Sequence, residues 1–189
     1  MFADWKIDDI KFTSHNLTHG VFTTAYRIWG TGPIKALFLH GGPGQAFNDY
    51  RTADGVYHNY QILNPEHYTV LEVDQLGTGL SQPSLRNGLE NSSLYLQTCG
   101  QELVQAIVEV LNELKWDRVF LHGGSWGSSL ALWFAQIHPS RVCGMVIRGI
   151  FTGTLAEMDV TYTRRGAGTN SNMISAFDSL LVTQKPQTK

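Results

Sequence analysis

Apolar residues along the chain fall into short continuous runs separated by longer amphipathic stretches, and the two spacings predict strands and helices in alternation. Ala36-Leu37-Phe38-Leu39, Tyr68 to Asp74, Arg118 to His122 and Val142 to Ile147 lack a polar face, as strands buried on both sides require. Ahead of them, Ile10 to Phe12 and Val21 to Trp29 predict two strands joined by a polar turn at Asn16 to Gly20. Partial alternation in the second fits an antiparallel hairpin at a sheet edge. Helical spacing runs from about Leu94 to Lys115, with Leu96, Cys99, Leu103, Ile107, Val110, Leu111 and Leu114 along one face. It returns from Trp126 to Ile137, with Leu130, Ala131, Phe134, Ala135 and Ile137 in the stripe and His138-Pro139 as the stop. A short or broken helix is expected within residues 47–64, around Gly55.

Strands that alternate with helices imply a mainly parallel sheet with helices on both faces. From Arg148 onward the texture changes. A short helix is expected between Thr152 and Arg165 around Leu155, Met158 and Tyr162, then a Gly-rich linker at residues 166–172, a weakly amphipathic stretch from Met173 to Thr183 and a frayed tail. The expected organisation is a core at residues 1–150 and the incomplete beginning of a second, helical element at residues 151–189.

A length of 189 residues suits one domain, and a formal net charge of -2 with mixed signs gives nucleic acid or a membrane surface nothing to recognise. The N-terminus lacks the basic-then-apolar order of a signal peptide, and no apolar run is long enough to span a bilayer, so a cytoplasmic location is expected. Cys99 and Cys143 lie in a predicted helix and a predicted strand without metal-ligand spacing, which predicts buried free thiols. No metal and no cofactor are expected.

Two stretches carry chemistry. Gly123-Gly124-Ser125-Trp126-Gly127 stands between a predicted strand and a predicted helix, the setting of a nucleophile elbow, in which a sharp turn exposes a serine at the sheet's carboxyl edge. Glycines two positions either side of Ser125 leave room for that turn, and the helix N-terminus directs unpaired N–H groups and the positive end of a dipole at a developing oxyanion. His40-Gly41-Gly42-Pro43-Gly44 directly follows a buried strand at the same edge, where open α/β sheets put ligands. The backbone N–H groups of Gly42 and Trp126 are the candidate oxyanion hole; a phosphate-cradling turn is the alternative for the first stretch, although neither Lys-Ser/Thr nor G-x-G-x-x-G completes such a motif. Asp74 at a strand end invites a catalytic role, but bracing of its own loop is favoured, on a strand expected beside the elbow strand.

His40-Gly41-Gly42-Pro43-Gly44, Asp74-Gln75 with Gly77, Gly79 and Ser81, Gly123 to Ser128, and Arg148-Gly149-Ile150-Phe151 together resemble the proline iminopeptidases of the α/β-hydrolase fold over roughly residues 8–160. The resemblance implies a serine peptidase that releases N-terminal proline from peptides through an acyl-enzyme on Ser125, with Gly42 and Trp126 as the oxyanion hole. Leu76 departs from the arginine usual in that family. The fold places the triad in the order Ser, Asp, His, with both partners well downstream of the elbow. The expectation is therefore an α/β-hydrolase core truncated before its last strands, followed by the start of the family's helical cap. His122 is expected buried in the sheet, His40 within the oxyanion loop, His138 at the far end of the elbow helix, and His15, His19, His58 and His67 in early loops, none positioned as a base for Ser125. The other expectation is a catalytically inactive hydrolase relative that binds a peptide or a partner chain. In either case the last core strand is left at an open sheet edge, a surface for self-association or a partner.

Overall fold

The computed structural model of the chain describes residues 11–47, 63–85 and 100–157. Its strands are β1 (Thr13–His19), β2 (Phe22–Trp29), β3 (Ile34–Leu39), β4 (Tyr68–Val73), β5 (Val119–Gly124) and β6 (Val142–Arg148). They form one sheet in the order β1-β2-β4-β3-β5-β6. The pairs β1–β2 and β2–β4 are antiparallel, and the remaining pairs are parallel. Two described helices, α1 (Gly100–Glu113) and α2 (Trp126–Ile137), join them, and a single 3-10 turn at Pro139–Arg141 leads into β6. The class is α/β with a mainly parallel sheet.

β3 shows why the central strands read as unbroken apolar runs. Ala36 and Phe38 pack with Trp29 and Val70 in one cluster, whereas Leu37 and Leu39 pack with Leu71 and Leu121 in the other. Successive side chains point to opposite faces, so a strand covered on both faces has no position left for a polar residue. The larger cluster takes in Ile107 and Leu111 of α1 and Leu130 and Phe134 of α2, all fully buried. Both described helices thus cover the same face.

Several expectations are corrected. The first described strand runs Thr13–His19, with Lys11 and Phe12 outside it and Ile10 outside the described residues, and it carries His15 and His19 within it. Its residues are largely polar and exposed, so hydrophobic patterning gives no sign of it. The turn shrinks to Gly20-Val21, because Gly20 takes φ 62 and His19 pairs directly with Phe22, as in a two-residue hairpin with glycine first. β3 lies between β4 and β5, so Asp74 is not on the strand beside the elbow strand. Cys143 is exposed, because β6 is the outermost described strand on its side of the sheet, and Ile137 is 44% exposed at the last turn of α2. Cys99, the helix expected after residue 47 and the start of the helix expected from Leu94 lie outside the described residues.

One buried feature has no precedent in the hydrophobic pattern. Arg27 of β2 and Glu72 of β4 face each other in register and form an ion pair that is almost wholly buried. The guanidinium is sandwiched between the rings of Phe12 and Phe47, at 4.4 Å and 4.3 Å from their centroids. Burial on this scale is compatible with charge because the cation is paired, donates also to the Phe47 carbonyl at 3.3 Å and rests on aromatic faces.

The chain divides into two compact units, Met1–Ile150 and Phe151–Lys189. In the second, residues 155–157 begin a helix with a reciprocal capping box. Thr154 Oγ1 accepts the Glu157 N–H at 3.3 Å, and the Glu157 carboxylate accepts the N–H groups of Thr154 at 3.3 Å and Thr152 at 2.9 Å. Hydrogen bonding, chiefly from the Thr152 hydroxyl, holds the Glu157 carboxyl below its ordinary range.

Candidate active site

Ser125 is the turn between β5 and α2. Its backbone takes φ 54 and ψ -127, a region that L-residues other than glycine seldom enter. The flanking glycines explain how the turn closes. A Cβ on Gly123 would stand 2.3 Å from the Gly127 carbonyl oxygen, and one on Gly127 would stand 2.2 Å from that of Leu39. Any side chain at either position would force the backbones apart. α2 then starts abruptly: Ser128 donates its N–H at 2.8 Å and its hydroxyl at 2.6 Å to the Ser125 carbonyl. Trp126, the first residue of the helix, has no intrahelical acceptor for its own N–H.

The other motifs gather around this turn. The Ser125 N–H donates to the Arg148 carbonyl at 3.1 Å, which ties the elbow to the end of β6 and leaves the serine's own amide engaged. A Cβ on Gly41 would stand 3.5 Å from Cβ of Ser125 and 3.3 Å from the Gly124 carbonyl, so the loop after β3 lies against the elbow at van der Waals distance. Gly42 has φ 119, and a Cβ there would collide with the backbone nitrogens of Gly44 and Gln45 at 2.6 Å and 2.8 Å. Its following peptide bond, Gly42–Pro43, is cis.

Beneath the loop, His40 is almost completely buried and fully engaged. The Gln75 backbone N–H donates to His40 Nε2 at 3.1 Å, which makes that nitrogen the acceptor and puts the ring proton on Nδ1, 3.0 Å from the Gly41 carbonyl. Gln75 continues outward. Its side-chain amide donates to the His40 carbonyl at 3.0 Å, and its Oε1 accepts the Trp126 indole N–H at 2.8 Å. The resemblance includes Gln75 in its Asp74-Gln75 motif but gives it no role; its bonds to two distant segments are seen only in the fold.

Asp74 braces its loop. It is fully buried, and its carboxylate accepts the N–H groups of Phe47 at 2.9 Å and Leu80 at 2.8 Å. A Cβ on Gly79 would overlap that carboxylate.

His122 lies buried in β5, stacked on Phe38 with centroids 5.2 Å apart, and neither ring nitrogen has a hydrogen-bond partner among the described residues. Burial, and secondarily the Arg148 charge, lower its pKa from 6.5 to about 4. His138 closes α2, its N–H donating to the Phe134 carbonyl, and His67 precedes β4. Ser125 is exposed, and among the described residues no histidine or carboxylate hydrogen-bonds its hydroxyl. Nor, among those residues, are three His, Cys, Asp or Glu side chains gathered as a metal would need. No described helix is long and apolar enough to cross a membrane.

A strained serine between a parallel strand and a helix, with a Gly-rich loop from the neighbouring strand against it, defines a class, and residues 37–170 match the sequence profile of that class: the chain belongs to the α/β-hydrolase fold family. Within it, the chain is similar to the proline iminopeptidase of Arabidopsis thaliana, at 35% identity over 145 residues, which are 77% of this chain and 34% of that one. It is similar also to the proline iminopeptidase of Neisseria meningitidis (serogroup A), at 36% identity over 118 residues, 62% of this chain and 33% of that one. The chain thus spans about a third of the length of these curated relatives. Among solved structures, a mutant epoxide hydrolase of Vigna radiata shares the fold, with a TM-score of 0.56 and 23% identity over 75% of this chain and 39% of that one.

Proposed function

We propose that this chain carries the nucleophile and oxyanion hole of a serine aminopeptidase that releases N-terminal proline from peptides. The carrying observation is the backbone of Ser125, held at φ 54 on the turn from β5 to α2 with the glycine loop at residues 40–44 against it. Further support comes from the similarity to proline iminopeptidases.

In this reading Ser125 Oγ attacks the carbonyl carbon of the N-terminal residue. The Oγ–C bond forms as the hydroxyl proton passes to a base, and the carbonyl oxygen becomes an anion facing the N–H groups of Gly42 and Trp126. Collapse breaks the C–N bond, and the leaving amine takes the proton. Water then cleaves the acyl ester, freeing the amino acid and restoring the serine. The base and its orienting acid are a His and an Asp that are not among the described residues, and residues 151–189 are proposed as the start of a helical cap. A peptide with N-terminal proline is the proposed partner, a cytoplasmic location the proposed setting, and the open edge of β6 a proposed surface for self-association.

A fluorophosphonate tests the nucleophile. Attack of Oγ on phosphorus expels fluoride as the hydroxyl proton passes to solvent, and peptide mapping after long incubation is expected to find the adduct on Ser125, formed at the slow rate of a serine without its base, and to lose it in Ser125→Ala. Hydrolysis of proline arylamide by this chain is expected to stay within the residual ~10³–10⁴-fold acceleration that an oxyanion hole gives without its base. An unlabelled Ser125 in folded protein, or hydrolysis that survives Ser125→Ala, overturns the assignment. Faster turnover that depends on Ser125 overturns the separate placement of the base.

A further inference from the structure

Two N–H groups can share one oxyanion only if the segments that carry them keep a fixed separation, to within about 0.5 Å. Here Gly42 belongs to the loop after β3 and Trp126 to the start of α2, segments far apart in sequence. Backbone hydrogen bonds of the sheet end below both, with Leu39 opposite Gly123 as the last β3–β5 pair. Beyond that pair, the Gln75 side chain hydrogen-bonds both to the residue that leads into the loop and to the first residue of the helix.

We propose that Gln75 is the positioning residue that sets the spacing of the two oxyanion donors, an inference that rests on the assignment of Gly42 and Trp126 as those donors. Its amide is oriented by Trp126: the indole N–H can only donate, so the oxygen faces Trp126 and the NH₂ faces the His40 carbonyl, with His40 Nδ1 3.2 Å from the same nitrogen. Gln75 is itself anchored. Its carbonyl accepts the Thr78 N–H at 2.9 Å and the Thr78 hydroxyl at 2.8 Å, while the Asp74 carboxylate accepts the Leu80 N–H at 2.8 Å and so holds the loop that follows. The residue is only 5% exposed, so water does not compete for these bonds. A side chain from a third segment therefore bridges the other two like a strut, bonded at one end to the peptide that leads into the oxyanion loop and at the other to the ring of the residue after the nucleophile.

Gln75→Leu removes both bonds, Gln75→Glu keeps only an acceptor for the indole, and Trp126→Phe removes only the indole donor. The rate constant for phosphonylation of Ser125 within the reagent complex is expected to fall 10- to 100-fold in Gln75→Leu, with reagent affinity within about threefold of the parent. Gln75→Glu is expected to fall between the parent and Gln75→Leu. In the double variant Gln75→Leu/Trp126→Phe the losses are expected not to multiply, because both delete the same bond. Amide NMR of the same proteins supplies a second readout: the Gly42 and Trp126 backbone resonances are expected to move together in Gln75→Leu while Gly20 stays in place. Unmoved resonances in folded Gln75→Leu, an unchanged rate constant, or independent multiplication in the double variant overturns the proposal. If the resonances move as expected but the parent Ser125 takes no label, Gln75 holds the spacing and it is the peptidase reading that fails.

Discussion

His40, the first residue after β3, and His122, within the neighbouring β5 and opposite Phe38, are equally buried and live in opposite surroundings. His40 accepts a backbone N–H on Nε2 and faces a carbonyl with Nδ1, so both nitrogens are engaged. His122 lies against Phe38 with no polar partner among the described residues, and its pKa is lowered to about 4. The first imidazole is a structural connector whose removal strands its neighbours. The second is held neutral by the cost of burying its charge, and it acts as an aromatic spacer until acid reaches it. Equal exposure therefore conceals different energetics, which the bonding of each ring decides.

The sharpest way to break this contrast is to remove the connector. His40→Leu leaves the buried Gln75 N–H without its acceptor and is expected to destabilise the fold by about 3 kcal/mol in urea unfolding followed by tryptophan fluorescence. A loss below 1 kcal/mol would place His40 alongside His122 as a spacer. Acid probes the second ring. The folded pKa of His122 lies below its ordinary 6.5, so the unfolded chain takes up the proton first. Stability on this account is complete above about pH 6.5, declines as the pH falls toward 4 and levels off below it. Relative to His122→Phe, which has nothing to protonate, the parent is expected to lose about 2 kcal/mol between pH 7 and pH 5. Parallel pH profiles for the two proteins would refute a neutral buried ring. The smallest effect belongs to the periphery of the His40 cluster: Thr78→Val removes one hydroxyl bond but leaves the Thr78 N–H on the Gln75 carbonyl, so about 1 kcal/mol is expected in the same unfolding measurement.

Where side-chain periodicity reports burial, the sequence was legible. The run Ala36 to Leu39 announced a strand covered on both faces, and α2 was expected and found from Trp126 to Ile137. β1 was illegible because an exposed, polar strand gains its order from backbone pairing with β2, which leaves no mark on the pattern of apolar residues. The elbow could be read because its glycines are required by close backbone approach, and the atoms those glycines avoid are now known. Gln75 could not, since its importance lies in three bonds to segments distant in the chain. His122 shows a third case: its burial was foreseen from its place on the elbow strand, but the Phe38 stack and the absence of a polar partner among the described residues depend on the neighbouring strand.

The backbone of Ser125 bears on the choice between an active hydrolase and a silent relative. A serine at φ 54 and ψ -127 is held in a conformation that costs about 1–3 kcal/mol and that glycine adopts freely. Drift in a chain with no use for the hydroxyl would favour glycine at this position, since that change alone lowers the energy of the fold. The fold therefore bears a strain here that serine imposes and glycine would relieve.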